Sequence, residues 1–533
     1  MLSTLEILVP LLAVIAVVAV VAKRLQIPLA IPLVLTGVGL ALIPGLPAVE
    51  LAPDLVLLLV LPPIIYFASV SMSWKEFRFN LRPISLLAVG SVVFTTIAVA
   101  AACRGLLGLP WAVGFVLGAI VSPPDAIAPL AIARRLRMPH RLIVILEGEG
   151  LGNDATALIL YRFAVAAVSV GAFSFGEAVA TFAVIVAGEI IWGIGVGWVM
   201  LRLRRWVGEP RIEITLLLVT PFLAYWPPEH FGGSGVLATV AAGLYISWNG
   251  LRLISAATRL QGIFFGDFLI YLIEGMVFLL TGLQARAVAA GVHRYSVAEL
   301  AAAAAVVSAV VIVARFVWVY PATYLPRLLI PALRRRDPYP PWQQPFALAF
   351  TGVRGVVSLA AALAIPLTTA TGEPFPYRDL ILVLTFSVIL VTLVGQGLLL
   401  PAVIRALGLA RAGSREHAED RREEADARHL AIEAAIARLE ELAAERQLPQ
   451  EIIHPLHAGH RDRLRNVEHR NHGDADRRQL IQHHDEIELQ LIAAERNTIN
   501  DLYRDGQLKD EARRRIEREL DLREANLANL REE

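Results

Sequence analysis

The 533-residue chain is 56% apolar and only 18% charged, with a single cysteine, Cys103. It is richer in apolar residues than soluble domains, which run at roughly 45–50%, and one cysteine excludes both a disulfide framework and a cysteine-rich metal site. The net charge of +1 hides two unlike parts: residues 1–410 carry 27 Lys+Arg against 19 Asp+Glu, and residues 411–533 carry 22 against 29. This split predicts an all-α polytopic membrane protein over 1–410, followed by a helical cytoplasmic tail over 411–533 with a regulatory or dimer-stabilising part.

The start does not read as a cleavable signal, because Met1–Glu6 has no basic stretch and Lys23-Arg24 follows the apolar run. Charged and Pro/Gly-rich breaks then delimit about thirteen spans, at residues 5–22, 28–46, 53–70, 84–107, 109–133, 142–170, 177–201, 212–226, 234–248, 264–283, 297–320, 344–366 and 378–404. Crossing ~30 Å of hydrocarbon takes ~20 apolar residues. The spans 212–226 and 234–248 fall short of that, with a turn expected at Pro227-Pro228 and Gly232-Gly233 between them. With the N-terminus outside, the inner loops hold 19 Lys and Arg and the outer loops 4. That bias puts the tail in the cytoplasm and the spans in the cell membrane.

The tail reads as helices broken near Pro449–Pro455 and Gly473. Leu430, Ile432, Ile436, Leu439 and Leu442 recur at helical spacing, as do Leu508, Ala512, Ile516 and Leu520. Nine of the twelve histidines lie here, among them His454, His457, His460, His483 and His484. Sensing of pH and plain solvated helix faces both fit. No nucleotide-binding glycine loop and no nucleic-acid signature stand out.

Ionisable groups within a span cost about 2.5–3.5 kcal/mol even on lenient scales, so each needs a reason. The span at 142–170 holds Glu147, Glu149, Asn153 and Asp154. Asp154 lies about 18 Å along the helix from Leu142, close to the midplane, and Glu149 about 10 Å. At 100° per residue Glu147 and Asp154 share a face while Glu149 points elsewhere, which suggests two jobs on one helix. The span at 109–133 is interrupted by Ser122-Pro123-Pro124-Asp125, where two prolines remove two donors and free the carbonyls before them. Asp125 serves there either to compensate a half-helix N-terminus or as a direct ion ligand. The span at 344–366 places Arg354 between Gly352 and Gly355, a second break signal, and the shift of seven spans between the two breaks predicts inverted repeats. By depth, Glu149 is the expected partner of Arg354. Glu274 and Glu189 are further intramembrane acids, read as structural or neutral. A midplane carboxylate beside an amide and broken helices suits a site that holds a small cation or a proton in turn.

Three stretches carry a resemblance. LEGEGLGNDATAL, VSPPDAIAP and GVRGVVSLAAALAIP resemble, in order, the E-S-L-x-N-D, S/T-x-x-D and G-x-R-G segments of sodium/proton exchangers of the first monovalent cation:proton antiporter family, prokaryotic branch. The resemblance covers roughly residues 5–405. It implies Asp154 and Asn153 as the transport carboxylate and amide, with Asp154 holding the carried Na+. It implies Asp125 and Ser122 at the helix crossing, Glu149–Arg354 as a structural ion pair, and a homodimer. Gly150 stands where many members have Ser, Pro124 where many have Thr, Phe67 where relatives often have Glu, and Glu274 where an amide is common. Asn at 153 leaves one titrating carboxylate, which in that family goes with electroneutral exchange.

The expected function is therefore an antiporter of Na+ and H+ embedded in the bilayer, with no enzyme activity and no cofactor. K+/H+ (or Li+) exchange is the nearest alternative. A cation channel is the alternative from another class, against which stands the absence of a repeated carbonyl filter. An intramembrane hydrolase would need a nucleophile–base or metal constellation, yet His140, His230 and His293 all fall in loops.

Overall fold

The computed structural model describes residues 2–44, 53–170 with 51–52, 175–250, 253–291, 295–471 and 475–532. It separates into two compact units, Met1–Ser414 and Arg415–Glu533.

The first unit is all helical. Its helices are α1 (Leu2–Leu25), α2 (Ala30–Ala41), α3 (Pro53–Ser71), α4 (Leu81–Leu106), α5 (Trp111–Val121), α6 (Ile127–Arg135) and α7 (His140–Val170). They continue as α8 (Phe175–Val207), α9 (Pro210–His230), α10 (Val236–Gly250), α11 (Ala256–Leu283), α12 (Val297–Leu329), α13 (Gln343–Phe350), α14 (Val356–Leu363) and α15 (Arg378–Ala406). Over the described residues, each expected span falls largely on one helix or, at the two predicted breaks, on a pair of half-helices; residues 45–46 of the span 28–46 lie outside the described residues. Among the described residues, eight helices are long and apolar enough to cross a membrane by length and composition. Large apolar side chains on α1 and α8, such as Val9, Val17, Ile191 and Trp198, remain exposed. In water such faces would be a liability; in hydrocarbon they are the expected surface.

Local chemistry accounts for the element ends. Ser296 and Glu299 form a reciprocal capping box that starts α12, and Ser255 accepts from the Thr258 N–H to start α11. The expected turn at Pro227-Pro228 is displaced, because α9 runs through both prolines to His230 and the chain reverses at Gly232, whose φ is +88°. The carbonyl of Leu223, robbed of its donor by Pro227, accepts instead from Trp192 Nε1 at 3.1 Å, so the helix survives its prolines. A small-residue contact joins α4 to α5: a Cβ on Gly118 would lie 2.5 Å from the Thr96 carbonyl oxygen. Single π-turns interrupt α3 at Val56–Val60, α4 at Leu86–Ser91 and α15 at Val391–Gln396, a distortion that tends to mark functional regions.

The second unit contains most of α16 (Leu409–Arg446) and all of α17 (Gln450–Asn471), α18 (Ala475–Arg504) and α19 (Asp510–Glu532). The first break falls at Gln447–Pro449, whereas Pro455 does not break the chain and sits inside α17. Gly473 lies outside the described residues, and an additional break at Gly506 takes a φ of +73°. Ile492 and Leu520 are buried, and Arg496 and Arg523 bridge α18 to α19 through Asp521, Glu524, Glu488 and Glu495. Leu430 of the expected stripe is exposed whereas Ile432 is buried. His457 stands 3.7 Å from Glu440, the His484 side chain lies outside the described residues, and no cluster of three metal-ligating residues occurs among the described ones.

Candidate functional site

The two broken helices meet. After α5 ends at Val121, residues 122–126 are unwound until α6 begins; after α13 ends at Phe350, residues 351–355 are unwound until α14 begins. The Asp125 N–H donates to the Val353 carbonyl at 2.7 Å, tying one unwound segment to the other. Two half-helix C-termini and two N-termini therefore converge, each carrying about half a charge.

Single side chains answer both sets of ends. Arg354 Nε donates to the Val121 carbonyl at 2.9 Å and Nη2 to that of Ser122 at 3.3 Å, while Nη1 donates to the Gly352 carbonyl. Its own N–H is accepted by Thr392 Oγ1 at 2.9 Å, in the π-turn of α15. Asp125 Oδ1 accepts from the Ile127 N–H at 2.9 Å, capping α6. Its other oxygen rests on Gly355, the residue before α14, so closely that a Cβ there would be 1.7 Å from Oδ2. Ser122 Oγ donates to the Ala119 carbonyl at 3.1 Å, replacing a donor lost to the prolines, and keeps its lone pairs.

Beside this crossing runs α7. Asn153 Nδ2 donates to the Pro124 carbonyl at 2.6 Å, which orients the amide, and Asn153 Oδ1 is buried with no hydrogen-bond partner. A buried orphan acceptor is costly, which makes this oxygen a candidate ligand. Asp154 follows, half-buried and within electrostatic reach of Asp125. Glu274 on α11, also half-buried, is within electrostatic reach of Asp125.

One expected contact is corrected. Glu149 does not pair with Arg354; it is gripped by Arg315 of α12, with Nη1–Oε1 at 2.5 Å and Nη2–Oε2 at 2.8 Å. The Arg354 guanidinium is consumed by carbonyls of the unwound segments, so depth alone misassigns the partner. Arg315 Nε also donates to the Leu348 carbonyl at 3.1 Å. Gly352 makes room for both arginines: a Cβ there would lie 2.5 Å from Arg315 Cδ and 2.8 Å from Arg354 Nη1. Arg315 sits in the expected span 297–320, and the cost of a charge in that span is the signal that would have found it.

Three further acids are held by protein partners. Glu189 is buried on α8 and accepts from the N–H groups of Ser234, Gly235 and Leu237, capping α10 from outside. Glu147 is bound by Arg134. Arg162, on the far half of α7, pairs with Glu229 and donates to the Gly233 carbonyl at 2.6 Å. Of the departures noted in the sequence, Gly150 lets α7 approach Ala126, whose Cβ would be 2.8 Å from a Cβ at 150. Phe67 fills its place against Gly266.

Discontinuous helices crossing beside half-buried carboxylates are the arrangement expected of a secondary transporter. The chain belongs to the sodium/hydrogen exchanger family, whose description "Sodium/hydrogen exchanger, transmembrane" it matches over residues 11–406. It is 37% identical over 410 residues to a protein named an uncharacterized Na(+)/H(+) exchanger in Mycobacterium tuberculosis, covering 75% of this chain and 74% of that one. It is 30% identical to the Na(+)/H(+) antiporter NhaS2 of Synechocystis, over 96% of this chain and 91% of the relative. A sodium, potassium, lithium and rubidium/H(+) antiporter of Bacillus pumilus is 32% identical, over 70% and 57% respectively. The fold is similar to that of the sodium proton antiporter MjNhaP1 of Methanocaldococcus jannaschii, with a TM-score of 0.60 at 20% identity, covering 77% of this chain and 98% of that chain.

Proposed function

We propose that the protein is a secondary antiporter that exchanges Na+ for H+ across the cell membrane by alternating access. Asp154 is the carboxylate for which cation and proton compete, and Asn153 Oδ1 supplies a second oxygen. The observation that carries this reading is the buried, unpartnered Asn153 Oδ1 beside a carboxylate that no described cation pairs with. Asp125 acts first as the cap of α6 and, through Oδ2, as an outer ligand; Ser122 Oγ completes the oxygen set, and Glu274 tunes it electrostatically. One titrating carboxylate makes the exchange electroneutral. Thirteen crossings with the N-terminus outside, the tail in the cytoplasm and a homodimeric assembly complete the reading.

K+ and Li+ are the second substrates to test, since the Bacillus pumilus relative is named for sodium, potassium, lithium and rubidium. The test is proton flux in proteoliposomes loaded with a pH dye. Protons should move only when Na+, K+ or Li+ is supplied, and imposed membrane potential should persist. Flux that dissipates the potential without a counter-cation would make the protein a channel and end the proposal.

A further inference from the structure

Away from the crossing, an unbalanced charge cluster gathers around Asp337, in the stretch between α12 and α13. Its carboxylate accepts from three arginines on three helices: Arg82 Nη2 of α4 at 2.7 Å, Arg141 Nη1 of α7 at 2.9 Å and Arg327 Nη2 of α12 at 2.7 Å. Arg327 is buried and also donates through Nε to the Asp337 carbonyl at 3.1 Å. One carboxylate against three guanidiniums leaves the cluster two positive charges in excess.

A cavity of about 40 Å³ opens beside it, lined by these three arginines together with Thr323 and Gln344 and by an apolar wall that includes Leu142 and Leu348. At ~10–15 Å³ per water this is room for about three waters, and so for one tetrahedral anion. Arg82 Nη1 is buried and has no hydrogen-bond partner. A charged donor left without an acceptor is expensive, and the cavity is where the acceptor would sit. Guanidinium forks match the oxygens of a phosphate group better than any single carboxylate does.

We propose that this cavity binds the phosphate group of an anionic ligand, either the headgroup of a membrane phospholipid or free phosphate. The lipid is the favoured source because the cavity is walled by apolar side chains on one side and by arginines on the other, at the helix ends that the charge bias assigns to the cytoplasm, where basic pockets between helices hold anionic headgroups. This placement rests on the proposed orientation; the binding itself does not. The ligand would clamp α4, α7 and α12, the last two of which carry Asp154 and Arg315.

The experiment uses purified full-length protein in detergent, read by thermal stability and by native mass spectrometry, so that it is independent of exchange activity. Phosphatidylglycerol, phosphatidylcholine, inorganic phosphate and chloride at matched ionic strength are added in separate arms. Phosphatidylglycerol should bind and stabilise while phosphatidylcholine does not. Arg82→Gln should weaken the binding about tenfold, the size of one charge-assisted hydrogen bond. Ala322→Leu, which fills the cavity and leaves every arginine in place, should weaken it as much; Arg82→Lys serves if Arg82→Gln does not fold. Stabilisation by phosphate above chloride, with no preference between the lipids, assigns the free anion. Equal behaviour of both lipids and of phosphate and chloride, or undiminished binding by Arg82→Gln and Ala322→Leu, overturns the proposal.

Discussion

Two carboxylates on α7, five residues apart, meet opposite fates. Glu149 is locked in a bidentate pair with Arg315, both side chains at most 2% exposed. Asp154, half-buried, has no such partner among the described residues and stands beside an amide oxygen that is also unclaimed. The helix and the acidity are shared. What separates them is whether the neighbouring helices bring a guanidinium to the carboxylate, and that is decided by α12 on one side and by the broken crossing on the other. A buried charge that is already answered cannot trade its proton for a cation; an unanswered one can.

The contrast can be broken most decisively at Asp154. Asp154→Asn should abolish cation-dependent proton flux in proteoliposomes while leaving the melting temperature in detergent near that of the wild type. Coupled exchange by this variant would transfer the role to Asp125. At Glu149 the result should invert: Glu149→Gln or Arg315→Gln strands a buried charge or its former partner and should cost about 3–5 kcal/mol of stability. The double replacement Glu149→Leu/Arg315→Leu should recover much of that loss in the same thermal assay, and failure to do so would mean the pair is more than a tie. A smaller effect is expected at Asn153, where Asn153→Ala removes one oxygen and the bond to Pro124 but no titrating group. Exchange should persist with apparent cation affinity lowered on the order of tenfold, measured as the cation concentration for half-maximal flux.

The smallest effect concerns pH. Burial would raise the Asp337 carboxyl, but hydrogen bonds and charge from Arg141 and Arg327 outweigh it and hold the group down at about 2, from an ordinary 3.8. A depressed carboxyl stabilises the fold fully above its ordinary value and loses that contribution as pH falls toward the folded one. Between pH 4 and 2, thermal stability of the wild type should therefore decline more steeply than that of Asp337→Asn, with no difference between them in that slope near neutrality.

Much of this was legible because charges and helix breakers are rare in apolar spans and costly wherever they occur. Pro123-Pro124 and Gly352–Gly355 announce both unwound segments, and Asn153-Asp154 lie at the depth of those breaks. The pairing of Glu149 was not legible, since Arg315 and Arg354 are both arginines within spans and depth does not choose between them. The choice follows from the unwound carbonyls of Val121, Ser122 and Gly352, which occupy Arg354 and exist only once the helices are broken and crossed. The length of α9 escaped for a related reason: prolines end a helix unless another chain segment supplies the missing donor, and Trp192 is thirty-one residues away from the carbonyl that it rescues.

The capping of the α6 N-terminus by Asp125 and of helix C-termini by Arg354 also bears on leakage. With helix poles answered in this way the crossing is close to neutral, and an unfilled Asp154 is a bare charge beside it. Carrying a bare carboxylate through a low-dielectric passage is heavily penalised, whereas a carboxylate holding either Na+ or H+ is neutral and travels freely. If Asp154 is the exchanging carboxylate proposed above, the empty carrier should be the slowest to turn over, with the barrier against uncoupled slippage set less by any gate than by the neutrality of the scaffold around that site.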